Sequence, residues 1–350
     1  MKVFLKIAKI CDNNLMNKKP APTINIVSEI KKVSKKKSAQ NKKIEHEVLD
    51  NPDVLPIMPP VVLTFANSDS TTAGGLQADI QTISAVGCYP TSVLTAITVQ
   101  DTVGVAEIHG LSPDIILRQA QAILEDISVS AFKIGLIGNA DCARALGDLL
   151  DSYDDVPLIY SPVLTTAAGE DFISNDLLDA VIEDLVSQTT ILILSIAQAR
   201  RFCAFIENKD FENATVDRCA EILLNQGCEY ILISAYQASS HQANHVLYHH
   251  QNNKILTLNS PILIDEHVDI NTTLASAVAG YMAHGIEITT AVKLAQAFSW
   301  QSYNQGLRLG MGRLLPNRMY WRNEATGVPL NTIGEQIFAE SKLETDYPGN

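Results

Sequence analysis

The sequence contains no Cys-x-x-Cys pair, although six cysteines (Cys11, Cys88, Cys142, Cys203, Cys219, Cys228) are scattered along it. That spacing argues against a zinc site and for reduced thiols in a cytoplasmic protein. No apolar run approaches the roughly 20 residues of a membrane span. The Lys-broken N-terminus lacks a continuous apolar stretch and a small-residue cleavage site, so it is not read as a signal peptide, and its lack of arginine argues against a transit peptide. Basic residues are also scarce where a nucleic-acid surface would need them. Twelve Lys and three acids in residues 1–45 leave 14 basic and 36 acidic residues in 46–350. The folded body is therefore strongly acidic, and neither nucleic acid nor a membrane is an expected partner for it.

What is present suffices for a large core: 350 residues, 46% hydrophobic and 19% charged. Residues 1–58 are a basic polar tract followed by the Pro-punctuated "NPDVLPIMPP", and are expected to be a disordered extension and linker. A folded domain is expected over 59–325, with a tail over 326–350. Within the domain, short β-rich apolar runs alternate with helical segments. "VVLTFA", "TSVLTAITV", "AFKIGLIG", "PLIYSPV", "TTILILS" and "EYILISA" read as strands, the second of them buried. Helices begin at Ser112-Pro113 and Ser174 and stop at Gly87 and Gly227. "HVLYHH" and "KILTLNS" suggest an antiparallel hairpin, with His241 and His245 read as exposed residues ahead of it. "NTTLASAVAGYMAHG" and "TTAVKLAQAFSWQSYNQG" read as the closing helices. Such alternation predicts an α/β fold of three layers, with a mainly parallel sheet covered by helices on both faces. Ligands in that architecture bind at the carboxyl ends of the strands.

One such end carries "LTFANSDSTTAGGLQAD" (63–79), a strand, a small-residue loop and a helix start. With the residues that follow, through "TAITVQDTVGV", it resembles the opening of the hydroxymethylpyrimidine/phosphomethylpyrimidine kinases of thiamine biosynthesis, which have a ribokinase-like fold. "FKIGLIGNAD", "IYSPVLTTAAGEDFI" and "GMGRLLPNRMYW" resemble later motifs of that family. The resemblance implies phosphoryl transfer from ATP, with Mg²⁺, to 4-amino-5-hydroxymethyl-2-methylpyrimidine and then to its monophosphate, in a cytoplasmic homodimer. It places Gln100 on the aminopyrimidine edge, where an amide offers donor and acceptor together. It places Asp79 near the hydroxymethyl group, and Asn67, Leu136 and Val163 around the pocket. Other readings stay open: Asp79 also suits a first-turn acid favoured by the helix dipole, Gln100 a turn residue, and Leu136 and Val163 plain core.

The sequence departs from the family at the phosphate end. Ser161 stands at the family's DPVM acid. Ser195 and Gln198 stand at the Asn and Glu of NLPEA, and Ser234 at the Lys of VKGGH. The anion-hole motif HGTGC aligns with "VDINT", so Asp269 and Asn271 replace glycines and Thr272 replaces the catalytic Cys. Thr272 and Asp269 remain the candidates for catalysis and Ser195 and Ser234 for nucleotide contact; no metal ligand is assigned. The helix is expected to begin near Asn271, capped by Asn271 or Asp269. Three readings follow: a pyrimidine kinase, a pyrimidine- or protein-binding pseudokinase, and a kinase for a pyridoxal-type vitamer.

Overall fold

The computed structural model describes residues 58–164, 173–237, 242–251, 253–261 and 270–322. The basic extension (to residue 57) and the tail expected from 326 lie outside them. The chain divides into two units, Pro59–Met319 and a second made of Met1–Met58 with Tyr320–Asn350. The fold below is that of the first.

Nine strands form one sheet: β1 (Val61–Ser68), β2 (Tyr89–Gln100), β3 (Val105–Gly110), β4 (Ala131–Ile134), β5 (Leu158–Tyr160), β6 (Ile191–Ser195), β7 (Tyr230–Gln237), β8 (Gln242–His249) and β9 (Asn253–Pro261). Their spatial order is β3-β2-β1-β4-β5-β6-β7-β8-β9. The six from β2 to β7 run parallel, and β3, β8 and β9 add antiparallel edges. Central strands are apolar without alternation because helices cover both faces: Val62–Ala66 of β1 and Ile191–Leu194 of β6 are buried. The described helices are α1 (Gly75–Ala85), α2 (Pro113–Leu124), α3 (Ala140–Leu150), α4 (Asn175–Ala180), α5 (Ile196–Glu207), α6 (Val216–Leu224), α7 (Asn271–Ala283) and α8 (Ile288–Asn304).

The starts and stops have the expected chemistry. The Ser174 hydroxyl accepts the Leu177 amide at the start of α4. Gly87 and Gly227 follow α1 and α6 with positive φ. Ser112 stands at the N-cap of α2 before Pro113, but its side chain makes no capping bond. The reading of β2 as buried needs correction: Ile97 and Val99 are exposed. Beyond Ile97, β2 has outrun β1 and pairs with β3 alone. The helix α7 is buried from Asn271 through Tyr281, as expected of a helix apolar on all sides. It begins beside the strands' carboxyl ends, which sets up the site.

Candidate functional site

The loop after β1 settles first what it cannot do. The Asp69 carboxylate, 2% exposed as a residue, accepts the Thr71 amide (2.8 Å), the Thr71 hydroxyl (2.7 Å) and the Gly74 amide (2.7 Å). The Thr72 amide donates to the Asp69 carbonyl at 3.0 Å, and the Ala73 amide to the Thr71 hydroxyl at 3.3 Å. All four amides from Thr71 to Gly74 are thus spent inside the loop, so they do not form a phosphate cradle. Thr72 sits at φ +62°, a left-handed conformation that disfavours a β-branched residue. Gly75 is required: at φ +64°, a Cβ there would lie 2.4 Å from the Asn67 carbonyl oxygen.

Asp79, expected near the ligand's hydroxymethyl group, is a correction. It is fully buried, and both its oxygens accept from the Lys133 ammonium at 2.9 Å. The hydroxyls of Thr64 and Ser276 donate to it at 2.6 Å each. The carboxylate therefore ties α1, β1, β4 and α7 together and has no face toward a ligand. Ser276 and Lys133 escaped sequence reading because each is a polar residue in an apolar run; only the fold brings them to Asp79.

The residues that the resemblance places around the pyrimidine lie at or just beyond the carboxyl ends of their strands. Asn67 is nearly buried at a bulge in β1 and donates to the Thr98 hydroxyl at 3.2 Å. Gln100 ends β2, half-buried, and its amide makes no hydrogen bond among the described residues. Leu136 is buried after β4, and Val163 is half-buried after β5.

At the positions where the resemblance implies phosphate contact, the described neutral side chains hold one another. Ser195 caps α5 and forms a capping box with Gln198, so its hydroxyl oxygen accepts the Gln198 amide at 3.2 Å. The Gln198 amide also donates to the Pro162 carbonyl at 2.8 Å, and its oxygen accepts from Asn271 at 3.5 Å. Ser234 lies 3.5 Å from the Asn271 oxygen and 2.8 Å from His245 Nδ1; His245 Nε2 is 3.3 Å from the Ser260 hydroxyl. Ser234 is half-buried. His245, read from sequence as an exposed loop residue, is instead 1% exposed in β8. Burial pulls its pKa down to about 4, so it is neutral at pH 7. His241 lies outside the described residues. Ser161 is buried after β5.

The helix α7 begins at Asn271 as expected, but with Ile270 at the N-cap and no side-chain capping bond. The Asn271 side chain turns to the polar chain just described. Asp269 lies outside the described residues. Thr272 is nearly buried, its hydroxyl makes no hydrogen bond among the described residues, and a Cβ on Gly74 would come within 3.8 Å of it. Thr272 and Gly74 thus meet where the uncapped helix end, Asp69 and the β1 loop converge. Among the described residues no three of His, Cys, Asp and Glu stand together as a metal set. The neutral donors Ser161, Ser195, Gln198 and Ser234 do not fit a divalent cation, which prefers carboxylate oxygens.

The sequence matches the phosphomethylpyrimidine kinase family over residues 69–317. The hydroxymethylpyrimidine/phosphomethylpyrimidine kinase of Rhizobium meliloti (strain 1021) is 28% identical over 256 residues, 73% of this chain and 95% of that protein. That of Haemophilus influenzae is 27% identical over 256 residues, 72% of this chain and 93% of its own. Among solved structures, phosphomethylpyrimidine kinase from Clostridium difficile 630 superposes with a TM-score of 0.58 at 29% identity, covering 69% of this chain and 98% of that one. Pyridoxal kinase from Staphylococcus aureus in complex with ADP superposes at 0.66 with 21% identity, covering 76% and 96%, a likeness of fold alone. Together with the mainly parallel sheet and a site at its carboxyl edge, the match over 69–317 shows that the chain belongs to the phosphomethylpyrimidine kinase family.

Proposed function

We propose that this chain phosphorylates 4-amino-5-hydroxymethyl-2-methylpyrimidine and its monophosphate with ATP as donor, in the cytoplasm and as a homodimer. The observation that carries the reading is the Gln100 amide, half-buried at the end of β2 and without a hydrogen-bond partner among the described residues, in a chain of this family. A donor and an acceptor side by side suit a ring nitrogen next to an exocyclic amine. The substrate oxygen would be presented toward Thr272 and the start of α7, where the helix dipole favours a phosphoryl group. ATP supplies that group. Because the described residues do not fit Mg²⁺, no step is assigned to a metal. Thr272, a neutral hydroxyl and a poor base, would hold the reacting end rather than remove its proton.

A second reading has its own support. The chain Gln198–Asn271–Ser234–His245–Ser260 is neutral and largely self-satisfied, whereas phosphoryl transfer calls for cationic neutralisation. A protein that binds the pyrimidine but transfers phosphate slowly or not at all suits that arrangement. The test is titration of the purified chain with the pyrimidine alcohol, its monophosphate and MgATP separately, followed by assay of phosphorylated product. Binding of all three with product formed supports the kinase; binding of the pyrimidine alone, without product, supports the second reading. Binding of none of them removes both.

A further inference from the structure

The C-terminal segment of the folded unit runs between two parts of the candidate pyrimidine pocket. At one end it packs on the turn after Gln100. The Gly312 amide donates to the Thr102 hydroxyl at 3.1 Å, and the Arg313 amide to the Thr102 carbonyl at 2.8 Å. The approach is so close that a Cβ on Gly312 would lie 2.0 Å from that carbonyl oxygen. At the other end stands Arg318, 1% exposed. Its Nη1 donates to the Thr72 carbonyl and its Nη2 to the Ala73 carbonyl, both at 2.8 Å; its Nε donates to the Thr273 hydroxyl at 3.1 Å.

The β1 loop therefore has two of its amides, those of Thr71 and Gly74, turned to a buried carboxylate, Asp69, and two of its carbonyls turned to a buried guanidinium. A planar fork with several donors at fixed angles suits three acceptors on two chain segments; a lysine is a point charge and does not. Charge-assisted bonds of this kind are strong when buried. The same guanidinium reaches α7 one residue beyond Thr272. It thus fixes the loop against the helix start, and with it the gap between Gly74 and Thr272.

We infer that Arg318 is a positioning residue: it clamps the 69–74 loop, with Thr72 in its left-handed conformation, to the start of α7 and so pre-forms one wall of the pyrimidine pocket. The loop is then a fixed wall rather than a lid. The clamp itself stands on the geometry; its effect on ligand rests on the substrate reading above.

The experiment measures amide hydrogen exchange over 69–75 in the full chain, with Arg318→Lys, Arg318→Ala and Thr273→Val beside wild type. Both Arg318 variants are expected to speed exchange in that segment at least tenfold while β6 and β7 keep wild-type protection. Thr273→Val, which removes only the tether to α7, is expected to speed it less. Affinity for the pyrimidine alcohol should fall at least tenfold in Arg318→Lys, and in turnover KM should rise while kcat changes less than threefold, as for a lost binding surface. Should Arg318→Ala not fold, Arg318→Lys and Thr273→Val decide. Wild-type exchange over 69–75 in every folded variant overturns the clamp. Faster exchange with unchanged affinity and KM overturns the positioning role. A wild-type protein that binds no pyrimidine overturns the substrate reading and leaves the clamp to be judged by exchange.

Discussion

Replacing Lys133 with Met should be among the most damaging single changes in this chain, and its size follows from the geometry around Asp79. The ammonium is 2% exposed and lies 2.9 Å from both oxygens of a fully buried carboxylate. Methionine has nearly the same length and fills the same space, so packing is largely kept and charge is what changes. The carboxylate would retain only the Thr64 and Ser276 hydroxyls. Breaking a buried pair by removing one partner costs about 3–5 kcal/mol, a large share of a typical 5–15 kcal/mol total stability. At about 2–4 °C per kcal/mol for a domain of this size, the melting temperature should fall by roughly 6–20 °C. Urea unfolding gives the free energy directly. The double variant Asp79→Asn, Lys133→Met leaves no buried charge, and should recover at least half the loss. A single variant within about 1 kcal/mol of wild type, or a double variant no better than Lys133→Met, refutes the sealed-pair account.

The pH dependence of stability should carry the signature of His245. Its folded pKa of about 4 lies below the ordinary 6.5, so between those values the unfolded chain binds the extra proton. Stability is then highest above pH 6.5 and falls as pH drops toward 4, by about 3 kcal/mol from this group; in His245→Gln that part of the slope should vanish in urea titrations at stepped pH. Gln100→Ala should weaken binding of the pyrimidine alcohol by about 1–3 kcal/mol in calorimetry, and an unchanged affinity makes Gln100 a turn residue. Thr72→Gly should be neutral to stabilising by up to about 1 kcal/mol, because relief of the left-handed strain outweighs the added freedom of the unfolded chain; a loss beyond 1 kcal/mol would show that the Thr72 side chain holds the loop.

The architecture was legible because its signals are local. Apolar runs of strand length, Ser174 and Pro113 at helix starts, and Gly87 and Gly227 at helix ends report on themselves and their neighbours. What stayed hidden was either short or long-range. The strand β3, "VAEIHG", is a half-polar edge strand with little apolar signature, and α5 was missed because Ser195 and Gln198, its capping box, were read as site residues. Asp79 was legible as an important acid but not as a sealed one, since its partners lie 15, 54 and 197 residues away. Arg318 reaches carbonyls 245 and 246 residues distant, and no spacing rule connects such positions. His245 looked exposed because of its Ser/Asn-rich surroundings, and pairing between β7 and β8 buried it. Gln100, Asn67 and Val163 lie at strand ends as the reading of the strands implied, since strand boundaries are local signals.

Product formation by the purified wild-type chain, given ATP, Mg²⁺ and 4-amino-5-hydroxymethyl-2-methylpyrimidine, is the decisive measurement of whether it is a pyrimidine kinase. The preparation must come from a host lacking its own pyrimidine kinase, with phosphorylated pyrimidine followed by mass. The expected products are the monophosphate and then the diphosphate, at a rate below the ~1–100 s⁻¹ usual for kinases, because the chain Gln198–Asn271–Ser234–His245–Ser260 supplies no cation. No phosphorylated pyrimidine at any ATP concentration, from a folded protein that still binds the alcohol, would contradict the kinase reading.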